Sequence, residues 1–276
     1  MTLKARCGVI ITTVARKLQK SIEQRGLGGT LRRCVTRPLM GSFFFLKKWA
    51  PSQIQRRRGE SQFDRRFNVS TRQQRSLGWM ADIRGENWRH GTGYDPVPID
   101  SFANVLRNLP IAHEDFVFID FGSGKGRSLF LAAEYSFRQI LGVEYSPQLH
   151  EVAMHNIQRH TNEMQKCTNI QSICHDAAVV PIPPHPLVLF FHHPFEEPVF
   201  RPLVQRLEQS LAANPRTCFI VYYDPRCATL FDKSPHFQRT ELSGTLDSTD
   251  TGEVLVWLSV ESVPVDPQTD SSLRSM

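Results

Sequence analysis

Cysteine is scarce in this chain of 276 residues, and none of it is patterned. The six cysteines (Cys7, Cys34, Cys167, Cys174, Cys218, Cys227) form no CxxC pair and share no zinc-type spacing with histidine. His150, His155 and His160 recur every five residues, a spacing that scatters them around a helix. No metal site is therefore expected. Cys174 and Cys218 fall in apolar runs that read as core strands, where cysteine acts as a small hydrophobe. Long apolar runs are also missing: none approaches the ~20 residues that cross a bilayer. Val9–Val14 is too short, and too near Arg16 and Lys17, for a signal-peptide core. These absences predict a cytoplasmic protein with reduced thiols.

Acids are missing from one end. Residues 1–80 hold 18 Lys/Arg against Glu23, Glu60 and Asp64, a balance of +15, and the remainder of the chain carries −9. A basic arm thus precedes a mildly acidic body. Within residues 1–60, Ile10, Val14, Leu18 and Ile22 recur every four residues, as on one face of an amphipathic helix. Phe43-Phe-Phe-Leu46 and Trp49 add apolar bulk beside Lys47 and Lys48. Such an arm suits peripheral contact with an anionic membrane, and its charge would equally attract the phosphates of a nucleic acid. A solvated extension is the third reading.

Residues 61–115 read as an adapter ending in a helix with Phe102, Val105, Leu106 and Leu109 on one face. From residue 116 to 262 strands and helices alternate. Short apolar runs at Phe116–Phe121, Gln139–Glu144, Asn169–Cys174, Leu187–Phe191 and Thr217–Tyr223 are separated by helical stretches at Arg127–Tyr135, Pro147–His160 and Pro198–Ala213. Unalternating strands of this kind predict a doubly wound, mostly parallel α/β sheet covered on both faces. Phe237–Ser243 and Glu253–Ser259 predict a closing antiparallel hairpin, and residues 263–276 a disordered tail.

The first of these strands runs into Asp120-Phe-Gly-Ser-Gly-Lys-Gly126 and then a helix. Glycines there permit a tight turn and close approach of a ligand at the carboxyl edge of the sheet. The P-loop spacing is absent, so Lys125 is expected to be a solvated loop charge. Gly126 comes one position early for a dinucleotide fingerprint. Glu144, closing the second strand, suits the two hydroxyls of a ribose, which both dinucleotides and adenosyl cofactors possess.

Phe118–Gly126 with Gly142-Val-Glu-Tyr-Ser146 resembles the glycine-rich motif and its successor in class I S-adenosylmethionine-dependent methyltransferases. The likeness continues at His175-Asp-Ala177 after the third strand, at Phe191-His-His-Pro-Phe195 after the fourth, and in the hairpin, covering roughly residues 100–260. It implies a Rossmann-like sheet of seven strands and S-adenosylmethionine as cofactor. It further implies that Gly122, Ser123, Gly124 and Gly126 shape the methionine end and that Asp120 helps hold it. Glu144 would take the ribose, Tyr145 would flank the adenine, and Asp176 with Ala177 would read the adenine edge. The loop bearing Tyr94 would close over the cofactor.

Methyl transfer needs alignment and, for a protonated nucleophile, a base. His193 is the candidate base, while His192 is free to point into the sheet. Pro194, Phe195 and Tyr222 are candidate substrate contacts beside Tyr94. Amino-group methylases of nucleic acids often carry [Asp/Asn]-Pro-Pro-[Tyr/Phe] where this chain has His193-Pro-Phe195; the departure argues against a nucleobase amino target. The acceptor is left open among small molecules, lipid-like compounds and proteins. A non-catalytic cofactor-binding adaptor is the alternative, and an NAD-dependent oxidoreductase a more distant one.

Overall fold

A computed structural model describes residues 51–72, 87–242 and 253–260. The amphipathic stretch of the arm, its aromatic cluster, the hairpin turn and the C-terminal tail lie outside the described residues. Helix α1 (Pro51–Arg66) leads into an irregular segment, and a single helical turn at Asn87–His90 precedes α2 (Ile99–Asn108). Then come β1 (Val117–Phe121), α3 (Arg127–Ala132), β2 (Gln139–Glu144), α4 (Pro147–Arg159), β3 (Ile170–Cys174) and β4 (Leu187–His192). The chain continues through α5 (Glu197–Ala213), β5 (Cys218–Tyr223), α6 (Ala228–Asp232), β6 (Phe237–Arg239) and β7 (Val254–Ser259).

The strands form one seven-stranded sheet in the order β3-β2-β1-β4-β5-β7-β6. β1 to β5 are parallel, and β7 is antiparallel to both β5 and β6. This is the doubly wound sheet with an antiparallel edge that the sequence predicts. Strand order reverses between β1 and β4, so their carboxyl ends flank the crevice where such sheets bind ligands.

Period-two geometry explains the unbroken apolar strands. Val117, Ile119, Phe121, Leu189, Phe191, Ile220 and Tyr222 enter one core with Phe200, Leu203 and Trp257. The intervening Phe118, Val188, Phe190, Phe219 and Val221 enter the other, with Phe102, Leu106 and Phe130. Phe63 and Phe67, on and just after α1, belong to that second core. α1 and α2 are therefore packed on the same sheet face as α3. Phe191 centres the first core, stacked on Phe121 at 5.2 Å and touching Phe195, Phe200, Tyr222 and Phe231.

Two expectations are corrected. Cys174 is exposed, because β3 pairs only with β2 and forms an edge of the sheet; Cys218, on a central strand, is buried. Lys125 is only 4% exposed, its ammonium lying 5.5 Å from the Tyr94 ring centroid, where a cation meets the negative face of the aromatic. Among the described residues, no helix is long and apolar enough to cross a membrane.

Candidate functional site

At the carboxyl ends of β1, β2 and β4 lies an open cleft, the place where doubly wound sheets take their ligands. Its wall includes Gly122 and Gly124 of the glycine loop, Val143, Glu144, Tyr145 and Leu149 from β2 and α4, and His175, Asp176 and Ala177 after β3. The opposite side is formed by Asn87, Gly91–Asp95, His192, Pro194, Phe195 and Val199. Six predicted cofactor residues (Gly122, Gly124, Glu144, Tyr145, Asp176, Ala177) and three predicted substrate contacts (Tyr94, Pro194, Phe195) thus meet in one cleft.

The glycine loop is built to let other groups come close. Gly122 adopts φ +89°, and a β-carbon on it would overlap the Pro194 ring. Gly124 adopts φ +56°, and its β-carbon would overlap the Tyr94 ring. Both positions combine a left-handed backbone with no room for a side chain. The loop amides turn inward. Gly122 and Ser123 N–H both donate to the Val143 carbonyl (2.8 and 3.1 Å), and Gly126 N–H donates to the Ser123 carbonyl (2.8 Å). Gly124 N–H donates to Glu144 Oε2 (2.8 Å). These donors are spent within the protein and do not form an anion cradle.

Ser123 departs from its expected role. Its hydroxyl is tucked under the loop, 2.6 Å from where a β-carbon on Gly142 would stand, and Ser123 does not line the cleft. Its buried Oγ makes no hydrogen bond. Ser123→Ala is expected to change the affinity for a ligand of this cleft by less than about twofold, because no solvent-facing hydrogen bond is lost. Titration calorimetry of the variant beside the wild type measures this; a tenfold loss would place the hydroxyl on the ligand.

Glu144 is 5% exposed. Its Oε1 accepts from Ser146 N–H (2.8 Å) and its Oε2 from Gly124 N–H. The two oxygens offer about four acceptor sites between them, more than the backbone N–H groups of Gly124, Tyr145 and Ser146 use, so capacity for a ligand hydroxyl remains. Burial pushes the Glu144 carboxyl above its ordinary range, against the three backbone N–H groups that favour its charge. Asp120, 4% exposed and bonded to the Ser128 hydroxyl, is pushed up to about 7, first by burial and then by the Glu144 charge. It does not line the cleft. Asp176 accepts from Ala178 N–H (2.9 Å) through Oδ1 and from the Asn87 side-chain amide (2.7 Å) through Oδ2. Asn87 was invisible in the sequence because its partner is 89 residues away.

The histidine pair is the main correction. His192 lines the cleft, edge-on to Tyr223, and His193 does not. A left-handed backbone at His193 (φ +36°) turns its ring inward, where it is 7% exposed and shares a 3.0 Å hydrogen bond between Nδ1 and the Tyr222 hydroxyl. Burial, with Arg226 nearby, lowers its pKa to about 4, so it is neutral at physiological pH. Tyr222, wholly buried, is also absent from the cleft wall; it supports His193 and accepts from Cys227 N–H (3.4 Å). Neither residue is placed where the sequence expected it to act.

The loop bearing Tyr94 is zipped to the segment after β4. Gly91 and Phe195 form a bridge, Thr92 N–H donates to the Pro194 carbonyl (2.9 Å), and Glu196 N–H donates to the His90 carbonyl (2.7 Å). The Thr92 hydroxyl donates to the His193 carbonyl (2.6 Å). Thr92→Val is expected to cost about 1 kcal/mol of stability, the net worth of that one bond, read as a lower denaturant midpoint at unchanged slope. An unaltered midpoint would mean the backbone pairing alone holds the loop.

No protein-family profile matches the chain, and no curated protein matches it. Among solved structures it is similar to the methyltransferase domain of bacterial CtHen1, at 16% identity over 58% of this chain and 98% of that one, with a TM-score of 0.43. It is similar to a precorrin-6y C5,15-methyltransferase from Geobacter metallireducens, at 13% identity over 57% and 85% of the two chains and a TM-score of 0.40. An RNA methyltransferase from Salinibacter ruber, solved with S-adenosyl-L-homocysteine, gives 18% identity over 62% and 98%, with a TM-score of 0.37.

Proposed function

We propose that the chain binds S-adenosylmethionine in this cleft and acts as a methyltransferase. The charge of the wall carries the reading: its ionisable residues include Asp95, Glu144 and Asp176, with neither lysine nor arginine. A pyrophosphate would meet like charge there and find the loop amides already engaged. A cationic ligand with a ribose and an adenine meets complementary groups instead. Glu144 would hold the ribose hydroxyls and Asp176 the adenine amino group, with Tyr145, Leu149 and Ala177 as apolar flanks. Pro194 and Tyr94, seated on Gly122 and Gly124, would border the methionine end, and Asp120 and Glu144 balance its positive charge. When bound, the cofactor supplies an activated methyl group.

The protein's share of the reaction is orientation and exclusion of water by the Tyr94 loop. Of the two histidines in the cleft wall, His175 and His192, it is His192, next to Pro194 and Phe195, that is proposed to take a proton from an acceptor. The acceptor is proposed to be a small molecule, a lipid-like compound or a protein, and the basic arm to touch a membrane surface or a nucleic acid. Calorimetric titration with S-adenosylmethionine, S-adenosylhomocysteine and NAD tests the cofactor; response to NAD alone overturns the reading. A second reading, a cofactor-binding adaptor without catalysis, is favoured by Thr92, which occupies the carbonyls of His193 and Pro194 beside the transfer site. Radiolabelled methyl transfer into fractionated lysate separates the two, since tight cofactor binding without any labelled product supports the adaptor.

A further inference from the structure

A second set of buried polar contacts lies behind the glycine loop and is not used by the cofactor reading. Tyr94, whose ring covers Gly124, donates its hydroxyl to the Thr71 carbonyl (2.6 Å). Thr71, fully buried, is gripped in turn by Asp64 of α1. Its N–H is 3.0 Å from both carboxylate oxygens, and its hydroxyl donates to Oδ1 at 2.6 Å. Arg72 N–H adds a fourth bond to the same carboxylate (3.1 Å). From the loop side Arg127, the first residue of α3 and 2% exposed, donates Nε to the Thr71 hydroxyl (2.9 Å). Arg127 also lies 3.6 Å from Glu60 of α1. One threonine therefore joins α1, the Tyr94 loop and the helix that opens from the glycine loop.

We propose that Asp64 is a positioning residue that holds Tyr94 over Gly124 through Thr71, so that α1 and the cofactor cleft close as one unit. The physical case is the accumulation of bonds on a single backbone segment. Residues 70–72 have no regular secondary structure, yet Asp64 fixes two of their N–H groups and one hydroxyl. A charged acceptor bonded this often orients the segment more firmly than neutral contacts would. The Thr71 carbonyl is thereby aimed at the Tyr94 hydroxyl. Asp64 itself touches neither the cleft nor the glycine loop; its effect passes through Thr71. The inference rests on the cofactor reading only for its ligand, since the contact of Tyr94 with Gly124 and the bonds through Thr71 lie within the chain.

The test compares Tyr94→Phe, Asp64→Asn and the double variant in the full chain. S-adenosylhomocysteine is the probe, titrated by calorimetry, and amide hydrogen exchange is followed in the unliganded protein. Tyr94→Phe keeps the ring over Gly124 and loses only the bond to Thr71. Each single variant is expected to weaken the probe about five- to tenfold, the size of one net hydrogen bond. The double variant should be little worse than either, because both act on one contact. Exchange at residues 91–95 and 122–126 should quicken about fivefold or more in both single variants. A lower melting temperature for Asp64→Asn with unchanged affinity and exchange would make it merely structural and overturn the proposal, as would additive losses. Wild-type protein that binds no S-adenosylhomocysteine, with exchange altered as expected, would instead overturn the cofactor reading and leave the coupling standing.

Discussion

Replacing Glu144 by alanine is expected to weaken S-adenosylhomocysteine at least about 100-fold while the chain stays folded. The carboxylate accepts from Gly124 N–H and Ser146 N–H in a buried position, and each donor left without a partner costs about 1–3 kcal/mol of stability, in the free and the liganded protein alike. The ribose hydroxyls proposed to use the remaining lone pairs would lose bonds to a charged acceptor, each worth about 1.5–3 kcal/mol. Loss of those ligand bonds reaches the ~2.7 kcal/mol of a 100-fold change. That cost to folding is offset in part, because burial opposes the ionised carboxyl and its removal relieves that penalty. Glu144→Gln keeps one acceptor oxygen and should fall between, near tenfold. Calorimetry reads the affinities and circular dichroism the fold. An alanine variant within threefold of wild type would remove Glu144 from the ligand contacts.

Legibility in the sequence followed the range of the interactions. β2 was read to the residue, and β1 and β5 to within one, because central strands are apolar on both faces and turn signals bound them. The glycine loop and Glu144 were legible for the same local reason: a tight turn and a strand end are written in adjacent residues. The helix expected over Arg127–Tyr135 stops at Ala132, where Tyr135 turns away to donate its hydroxyl to the Ala103 carbonyl (3.0 Å). That partner lies 32 residues back and leaves no local signal. Lys125 is buried because the Tyr94 loop folds over it, another contact between distant segments. The exchange of roles between His192 and His193 has a different origin. A strand's alternation predicts which side chain faces which way only while the strand lasts. His193, the first residue after β4, takes a left-handed backbone that breaks the alternation. The network through Asp64, Thr71 and Arg127 joins three segments, and no spacing pattern in one of them announces it.

Asp120→Asn is expected to flatten the pH dependence of stability of the unliganded protein between about pH 4 and pH 7. Burial, and then the Glu144 charge, raise the Asp120 carboxyl from 3.8 to about 7 in the folded chain. A raised carboxyl pKa means the folded state holds a proton that the unfolded state has already lost. The associated stability is fully present below the unfolded pKa near 4 and is lost as pH rises through about 7. The displacement corresponds to a loss of at most about 4 kcal/mol, at about 1.4 kcal/mol per tenfold. Asparagine can still accept from the Ser128 hydroxyl but does not titrate, so its cost is the same at every pH. Denaturant midpoints at pH 5 and pH 8 should therefore lie closer together in the variant than in the wild type, with what separation is left assigned to Glu144, also raised by burial; equal divergence in both would place the titration elsewhere. A cationic ligand beside Asp120 and Glu144 reverses the penalty on the ionised form. Wild-type protein should then release a proton on binding S-adenosylmethionine near pH 7, read by calorimetry in buffers of different ionisation enthalpy. The variant should release none through this carboxyl, and the difference between the two would assign the counter-charge of the sulfonium to Asp120, a residue that no contact with the cleft reveals.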